Sequence, residues 1–218
     1  MLVHPTPEAG PRAPSLPAGG DGMEDAPVKT IRLATPADAA PIAGIYAPIV
    51  AGTPISFELE APTAREMARR IAAVLAFAPW LVCVEDGAVT GYAYAGRHHE
   101  RAAYRWSVDL SVYVREGGRR TGVGTALYRA LLALLRLQRF RAAHAGITLP
   151  NAASVGFHEA LGFRPVGVFP RVGWKGGAWY DVGYWQLELG DRTGVPSEPL
   201  GMEALRRLPG VAAALAGA

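Results

Sequence analysis

The chain contains a single cysteine, Cys83, which lies in the apolar run 81–84. One thiol cannot form a disulfide within the chain, and it cannot supply a cysteine cluster for a metal ion. Free cysteine is among the residue types most often buried, so we expect Cys83 to be a core strand residue. A disulfide-rich scaffold is therefore excluded.

Long hydrophobic runs and concentrated positive charge are also missing. No stretch approaches the roughly 20 apolar residues of a membrane-spanning helix. The N-terminus lacks the basic-then-apolar pattern of a secretory signal. The net charge of +3 is spread along the chain without a Lys/Arg block, and the basic residues do not alternate with aromatic ones. We therefore expect a cytoplasmic protein with no membrane and no nucleic-acid partner.

The composition of the 218 residues predicts one domain with two tails. Half of the residues are hydrophobic, enough for a sizeable core. Residues 1–28 are rich in Pro, Gly and Ala without periodicity, which indicates a disordered leader. Residues 29–190 form the predicted domain. Residues 191–218 form a C-terminal extension with a linker near 192–199 and room for a short helix after Gly201.

The order of the predicted elements indicates a mixed α/β (α+β) fold. A first strand precedes a helix that starts near Pro36, and Thr63 with Glu66 forms a capping box for a second helix. The turn Asp86-Gly87 joins two strands. A strand at 106–114, a Leu-striped helix at 124–138, a strand at 143–149, a helix at 152–161 and a final hairpin follow. We expect a central mixed sheet of about seven strands, flanked by helices.

The glycine turn before the Leu-striped helix is the first functional signal. It reads Arg119, Arg120, Thr121, Gly122, Val123, Gly124. Two glycines let a ligand approach the backbone, and the first helical turn offers unpaired N–H groups and a partial positive charge. The segment therefore suits a pyrophosphate. It lacks the Lys-Ser/Thr pair of a Walker A loop and the third glycine of a dinucleotide fingerprint. A simple strand-to-helix turn with solvated arginines is the alternative.

The pattern Arg119-x-x-Gly122-x-Gly124 resembles the coenzyme A loop of the GNAT acetyltransferases. Further matches point to the phosphinothricin and methionine sulfoximine N-acetyltransferase branch, over about residues 30–189. They are VYV at 112–114, TLPN at 148–151, HEALGF at 158–163, Gly173-x-Lys175 and GAWYDVGYWQ at 177–186. The resemblance implies acetyl-CoA as co-substrate, held by residues 119–124 in a splay between two parallel strands. It implies transfer of the acetyl group to the primary amine of a small amino-acid-like substrate.

Two residues are candidates for proton transfer. Asp109 lies in the middle of an apolar strand, where burial would make it a stronger base. Related enzymes usually carry glutamate there, and the shorter aspartate would need a water relay to reach the amine. His158 occupies the helix where many GNAT enzymes have a tyrosine that protonates the coenzyme A thiolate. The alternatives are a carboxylate satisfied by backbone amides for Asp109 and a surface histidine for His158.

Other residues are candidates for binding. Val112 and Val114 are expected to offer backbone groups to the pantetheine arm, and Asn151 and Ser154 to cap a helix or bind the same arm. Arg101 and Tyr104 match substrate-side positions of the branch, because arginine pairs well with a carboxylate or phosphinate. A solvated hairpin tip is the alternative for this pair. Phe57 is expected either to wall the acceptor pocket or to belong to the core.

Neighbouring histidines and C-terminal aromatics raise two further questions. His98 and His99 are adjacent, but no third ligand is near them in the sequence, so we expect no metal site. Four aromatic residues in the last hairpin predict a homodimer interface, as is common among the related enzymes, with a hairpin buried in the core as the alternative. They are Trp174, Trp179, Tyr180 and Trp185.

Two rival functions stay open at this point. The acceptor could be a protein N-terminus or lysine, which would need an open groove. Alternatively, the domain could be a non-catalytic acyl-CoA sensor, for which the aspartate in place of glutamate is the sole support.

Overall fold

The computed structural model describes residues 29–118 and 121–217. The predicted leader 1–28, the loop arginines Arg119 and Arg120, and the last residue of the predicted extension lie outside the described residues. The strands are β1 Lys29–Leu33, β2 Trp80–Glu85, β3 Ala88–Arg97, β4 Ser107–Val114, β5 Ala142–Leu149, β6 Arg164–Lys175 and β7 Ala178–Glu188. The helices are α1 Ala39–Gly52, α2 Ala64–Leu75, α3 Val123–Leu137, α4 Ala152–Ala160, α5 Met202–Arg206 and α6 Gly210–Ala216.

The seven strands form one mixed sheet in the order β1-β2-β3-β4-β5-β7-β6. The β4–β5 pair is parallel, whereas the other neighbours are antiparallel. The predicted fold class and the number of strands are confirmed. The strand β4 lies in the middle of the sheet.

Local sequence signals account for several element boundaries. The Thr63 side chain accepts a hydrogen bond from the Glu66 backbone N–H at 3.2 Å and so caps the start of α2. The Glu66 carboxylate binds Arg69 and Arg70 instead of completing the predicted capping box. Asp86 and Gly87 both have positive φ, 49° and 78°. This is the conformation of the tight hairpin turn that joins β2 to β3.

The two faces of the sheet are covered by different helices. The helix α3 packs its leucine stripe on one face, and Leu127, Leu131, Leu134 and Leu135 are all fully buried there. Cys83 is buried on the same side, as predicted. The helices α1 and α2 cover the other face with a second cluster that contains Ile42, Ile71 and Tyr92.

The strands β4 and β5 separate soon after they start. Their parallel pairing extends only from Ser107 opposite Ala142 to Asp109 opposite His144. Both strands continue beyond that point, β4 to Val114 and β5 to Leu149. The sheet therefore opens into a wedge in its centre, which is the splay that the sequence resemblance implies.

The C-terminal extension contains two short helices rather than the one that was expected. Met202 and Leu205 of α5 are buried in the α3-side core. The preceding linker is also bound to the domain, because the Trp106 indole N–H donates to the Ser197 carbonyl at 2.9 Å. Arg105 pairs with Glu198 at 2.8 Å. Within the described residues, none of the helices combines the length and apolarity needed to cross a bilayer.

Candidate active site

The wedge between β4 and β5 exposes backbone hydrogen-bonding groups of β4. Backbone groups of successive strand residues point to opposite sides. The Arg115 N–H donates to the Thr90 carbonyl near the start of β3, whereas the Trp106 carbonyl accepts from the Arg141 and Ala142 N–H groups beside β5. The backbone N–H and C=O groups of odd-numbered β4 residues therefore point toward β3, and those of even-numbered residues point toward β5.

The backbone groups of Val112 and Val114 consequently point into the wedge. The described part of β5 offers them no pairing, since its register with β4 ends at Asp109. Both valine side chains are half-buried and pack against the α3-side core. An extended chain carrying amide groups, such as a pantetheine arm, could complete the ladder here in place of a strand.

The glycine turn forms the N-terminus of α3 at the open end of this wedge. Gly122 is the N-cap residue with φ 84°, a left-handed conformation that favours glycine. The Ala126 N–H donates to the Gly122 carbonyl, so the preceding amides of the first turn have no intrahelical acceptor. Val123 is buried in the core and fixes the turn, while the nearest side chain to a Cβ added at Gly124 would be Phe157 at 3.6 Å.

Lys29, the first residue of β1, is a basic residue beside this turn that sequence reasoning missed. Its ammonium group donates to the Thr121 carbonyl at 2.9 Å and lies 3.3 Å from Glu85. The Thr121 hydroxyl in turn donates to the Gly118 carbonyl at 2.7 Å. A cavity of about 530 Å³ beside this turn is lined by the basic residues Lys29 and Arg115 and by the acidic residues Glu85 and Asp86. The free amides and the partial positive charge of the helix N-terminus are what suit the turn to a pyrophosphate.

The helix α4 begins on the opposite side of the wedge. Asn151 is its N-cap, and its side-chain oxygen accepts from the Ser154 N–H at 3.1 Å. The capping alternative is therefore confirmed for Asn151. Ser154 lies one turn before His158, and its hydroxyl is 3.4 Å from the His158 Nδ1. Asn151 and Ser154 are both half-buried.

His158 is buried, so the surface alternative for it is wrong. Its Nδ1 lies 2.8 Å from the Ser154 carbonyl, which can only accept, so the proton is on Nδ1. Its Nε2 therefore accepts from the Tyr128 hydroxyl at 3.0 Å. Burial lowers the pKa of His158, partly offset by the Ser154 hydrogen bond. The neutral imidazole thus links α4 to a fully buried tyrosine of α3.

Asp109 lies at the closed end of the wedge, in the last pair of β4 with β5. Its side chain is 48 % exposed, so the expected burial of this carboxylate is wrong. The physical reason is that no β5 residue continues alongside β4 beyond this pair. The Asp109 Oδ1 is 2.8 Å from the His98 Nδ1. Its hydrogen-bond partner is thus a histidine side chain rather than the backbone amides considered as the alternative.

A second histidine completes a cluster around Asp109. The His144 ring stacks on the His98 ring with a centroid distance of 4.2 Å and an interplanar angle of 18°. The His144 Nε2–H donates to the Gln186 side-chain oxygen at 3.1 Å. Burial, followed by the neighbouring His98, lowers the pKa of His144. Sequence reasoning missed His144, because it is far from His98 in the sequence and meets it only through two strand pairings, β3 with β4 and β4 with β5.

The expectation that no third metal ligand lies near His98 is wrong. His98, Asp109 and His144 each offer a ligand atom within 4.8 Å of the others. A ring nitrogen binds a metal ion in the plane of its own ring, however, at about 2.0–2.1 Å for zinc. Two stacked, nearly parallel rings cannot both aim at one ion unless one of them rotates. The observed arrangement therefore fits a hydrogen-bonded stack better than a metal site.

Phe57 and the loop between α1 and α2 lie against the last hairpin. The Phe57 ring fills the space that a side chain at position 173 would need, 2.1 Å from a Cβ built on Gly173. Lys175 donates to the Val50 and Ser56 carbonyls at 2.6 Å each. The motif Gly173-x-Lys175 therefore holds this loop in place, and Phe57 is half-buried at its centre.

A polar network continues the wall that this loop forms beside β3. Arg70 of α2 binds Glu58 through two hydrogen bonds, at 2.7 and 3.0 Å, and lowers the pKa of Glu58. The Tyr46 hydroxyl donates to Glu58 at 3.0 Å and lies 2.7 Å from the Ser56 hydroxyl. Burial raises the pKa of Tyr46 to about 12. Tyr46 and Arg70 also line a cavity of about 250 Å³.

The predicted substrate residues Arg101 and Tyr104 lie in the loop between β3 and β4. Arg101 is exposed and precedes a single 3-10 turn, Ala102–Tyr104. The Tyr104 ring lies 4.6 Å from the His99 ring and 6.0 Å from the His98 ring. The structure therefore brings Tyr104 close to the Asp109 cluster, whereas Arg101 stays at the surface. Their role toward a substrate stays a prediction.

This combination of fold and site is typical of transferases that use an acyl-CoA donor: a sheet opened at its centre, free strand amides along one edge and a helix N-terminus at the mouth. The chain belongs to the GNAT acetyltransferase family. Residues 31–183 match the model of the acetyltransferase (GNAT) domain. The family that the sequence motifs indicated is thereby confirmed.

Individual relatives agree with this assignment. The chain is 40 % identical over 159 residues to phosphinothricin N-acetyltransferase of Streptomyces viridochromogenes, covering 73 % of this chain and 87 % of that one. It is 36 % identical to the L-methionine sulfoximine/L-methionine sulfone acetyltransferase of Salmonella typhimurium, covering 75 % and 96 %. The structure of a GNAT phosphinothricin acetyltransferase from Sinorhizobium meliloti in complex with AcCoA superposes with a TM-score of 0.74 at 34 % identity, covering 78 % and 94 %.

Proposed function

We propose that this enzyme transfers the acetyl group of acetyl-CoA directly to the primary amine of a small, amino-acid-like substrate. The observation that carries the proposal is the wedge between β4 and β5, with the α3 N-terminus at its mouth and Asp109 at its closed end. A pyrophosphate bound at residues 121–124 would place an extended pantetheine arm along Val112 and Val114. The thioester would then lie close to Asp109. Arg119 and Arg120 add positive charge to the same loop in the sequence.

The chemistry requires a neutral amine, a stabilised oxyanion and a proton for the leaving thiolate. An α-amino group is mostly protonated at pH 7, since its pKa is about 7.7 or higher. The Asp109 cluster supplies groups that can accept this proton. Tyr128, His158 and Ser154 are joined by hydrogen bonds, and under this proposal they would lie on the side of the leaving thiolate. Holding the amine in line with the thioester carbonyl supplies the rest of the rate acceleration.

Residues near the site and the named relatives favour amino-acid-like acceptors. Lys175 fixes the loop bearing Phe57 to the last hairpin. Arg101 and Tyr104 lie at the rim, where an arginine could pair with a substrate carboxylate. The relatives act on phosphinothricin and methionine sulfoximine according to their names. A protein substrate would need an open groove instead.

A coenzyme A release assay tests this function. The panel contains phosphinothricin, methionine sulfoximine, methionine sulfone, the ordinary amino acids and a peptide with a free N-terminus. We expect release with at least one of the amino-acid-like amines and little with the peptide. Preference for the peptide would favour protein acetylation. Tight acetyl-CoA binding without release for any amine would favour a non-catalytic sensor and overturn the proposal.

We further propose a homodimer that forms through the last hairpin. The edge strand β6 and its partner expose several large apolar side chains: Val166, Val168, Phe169, Val172, Trp174 and Trp179. Exposed apolar patches of this kind mark protein interfaces, and an unpaired edge strand offers further hydrogen bonds. The expectation that Trp185 belongs to this surface is wrong, because its side chain is buried and its indole N–H donates to the Glu159 carboxylate at 3.2 Å.

A further inference from the structure

The cluster of His98, Asp109 and His144 lies at the closed end of the wedge. It offers two imidazole rings for proton transfer in addition to the carboxylate. The three side chains come from the ends of three neighbouring strands. Asp109 and His144 face each other in the last pair of β4 with β5, and His98 directly follows β3. They therefore meet where the thioester and the amine would meet under the proposed function.

The hydrogen bond between His98 and Asp109 fixes which nitrogen is available. A carboxylate accepts, so the Nδ1–H of a neutral His98 donates to the Asp109 Oδ1 over the observed 2.8 Å. This leaves Nε2 of His98 without a proton. Among the described residues, no hydrogen bond to that nitrogen is formed. The His98 side chain is 21 % exposed, so the ring is held in place but can still be reached.

We propose that the His98 Nε2 is the general base that takes the proton from the acceptor amine, and that Asp109 positions and stabilises this imidazole. The inference rests on the proposed function. It also explains why the shorter aspartate suffices, because the histidine ring extends the reach of the carboxylate. A carboxylate that orients an imidazole base in this way is a recurrent catalytic arrangement.

The proton balance closes without any other reactant. The ammonium group of the substrate gives one proton to His98 Nε2. The proton on His98 Nδ1 stays there, hydrogen-bonded to the Asp109 carboxylate. The neutral amine then attacks the thioester carbonyl carbon and forms the C–N bond. The C–S bond breaks on collapse, and the second amine proton passes to the thiolate sulphur. His98 finally releases its proton to water.

The stacked His144 ring sets the plane of His98 and stays neutral. Its Nε2–H is held by Gln186, and burial lowers its pKa. A neutral ring can lie beside the imidazolium without adding a second charge. The titratable groups that contact or stack on His98 among the described residues are Asp109 from β4, His144 from β5, and His99 and Tyr104 from the adjoining loop.

Kinetics of His98→Gln tests the proposal, with His99→Gln as the matched control. His99 is the same residue type one position further along and is exposed; its ring packs 4.3 Å from the His98 ring, so this control shows what loss of that packing alone does to turnover. We expect His98→Gln to lower kcat at pH 7 on the order of 10²-fold, the usual contribution of a general base. The KM for acetyl-CoA should not change, and the loss should shrink at pH 9.5, where the amine deprotonates without help. Added imidazole should restore activity to His98→Ala but should not affect His99→Ala.

The outcomes separate this inference from the proposed function. Wild-type activity combined with unchanged kcat in His98→Gln at every pH would overturn the inference alone. No coenzyme A release by the wild type with any amine would overturn both. ¹⁵N NMR gives a readout independent of activity: the proton of neutral His98 should sit on Nδ1, and finding it on Nε2 would reject the proposal. Inhibition by Zn²⁺ that His144→Gln abolishes would instead indicate a metal site.

Discussion

The Nε2 of His158 lies 3.0 Å from the Tyr128 hydroxyl in the interior of the protein, where both side chains are buried. The pKa of His158 is lowered by this burial. In the unfolded chain a histidine binds its proton near pH 6.5. The unfolded state therefore takes up the proton first as the pH falls, so the free energy of unfolding decreases below about pH 6.5 and is fully retained above it.

We expect His158→Gln to flatten this pH dependence. Urea unfolding of the wild type should show stability falling between pH 7.5 and 5.5, and the variant should show a smaller slope. Part of the slope should remain, because the pKa of His144 is lowered too. At pH 7.5 the variant should lose about 1–3 kcal/mol through its broken buried hydrogen bonds. An unchanged slope would contradict the neutral, buried state of His158.

Gly122→Ala should weaken acetyl-CoA binding. The left-handed conformation at φ 84° costs a non-glycine residue about 1–2 kcal/mol, and its relaxation would turn the amides of the α3 N-terminus away from the ligand. Calorimetric titration should show about a tenfold higher Kd. Gly162→Ala is the matched control, since Gly162 has φ 91° but caps α4 away from this turn. Equal weakening in both variants would count against the pyrophosphate cradle.

Lys175→Met should affect the acceptor amine and leave acetyl-CoA binding intact. Its ammonium group binds two carbonyls of the loop that carries Phe57, so its loss should loosen this wall and raise the KM for the amine several-fold. Lys29→Met serves as the reciprocal control, because Lys29 supports Thr121 at the α3 turn. It should raise the KM for acetyl-CoA instead. Steady-state kinetics with each substrate varied in turn checks the split.

Asp109→Asn should reduce turnover more at pH 7 than at pH 9.5. At pH 7 the amine needs a base, whereas at pH 9.5 a large share is already neutral. We expect a loss on the order of 10²-fold at the lower pH. Asp181→Asn is a suitable control, because the Asp181 carboxylate accepts from the Arg171 backbone outside the site. Equal losses at both pH values would argue against a role in proton transfer.

Replacing both Trp174 and Trp179 with serine should shift the protein toward the monomer. The two indoles pack 5.3 Å apart and are 54 % and 57 % exposed. Sedimentation velocity should show a dimer for the wild type and a larger monomer fraction for the variant. Val195→Ser removes an exposed apolar side chain from the C-terminal linker and should change nothing. A monomeric wild type would dismiss the proposed interface.

Local sequence patterns were sufficient to predict most of the fold. The leucine spacing of α3, the capping residue Thr63 and the turn Asp86-Gly87 each express a short-range rule, and each predicted element exists within a few residues of its expected bounds. The glycine turn also lies where the motif indicated, directly before α3. These signals depend on neighbours within about four residues, so one sequence is enough to detect them.

The surroundings of individual side chains were decided by tertiary structure alone. Asp109 has the apolar neighbours of a buried residue, but the wedge between β4 and β5 leaves its carboxylate half exposed. The meeting of His98 with His144 depends on the register of two strand pairs, which neither segment encodes by itself. The sequence by itself determined the elements and the position of the glycine turn. Only the packed sheet decided which side chains share the site, because residues far apart in the chain become neighbours there.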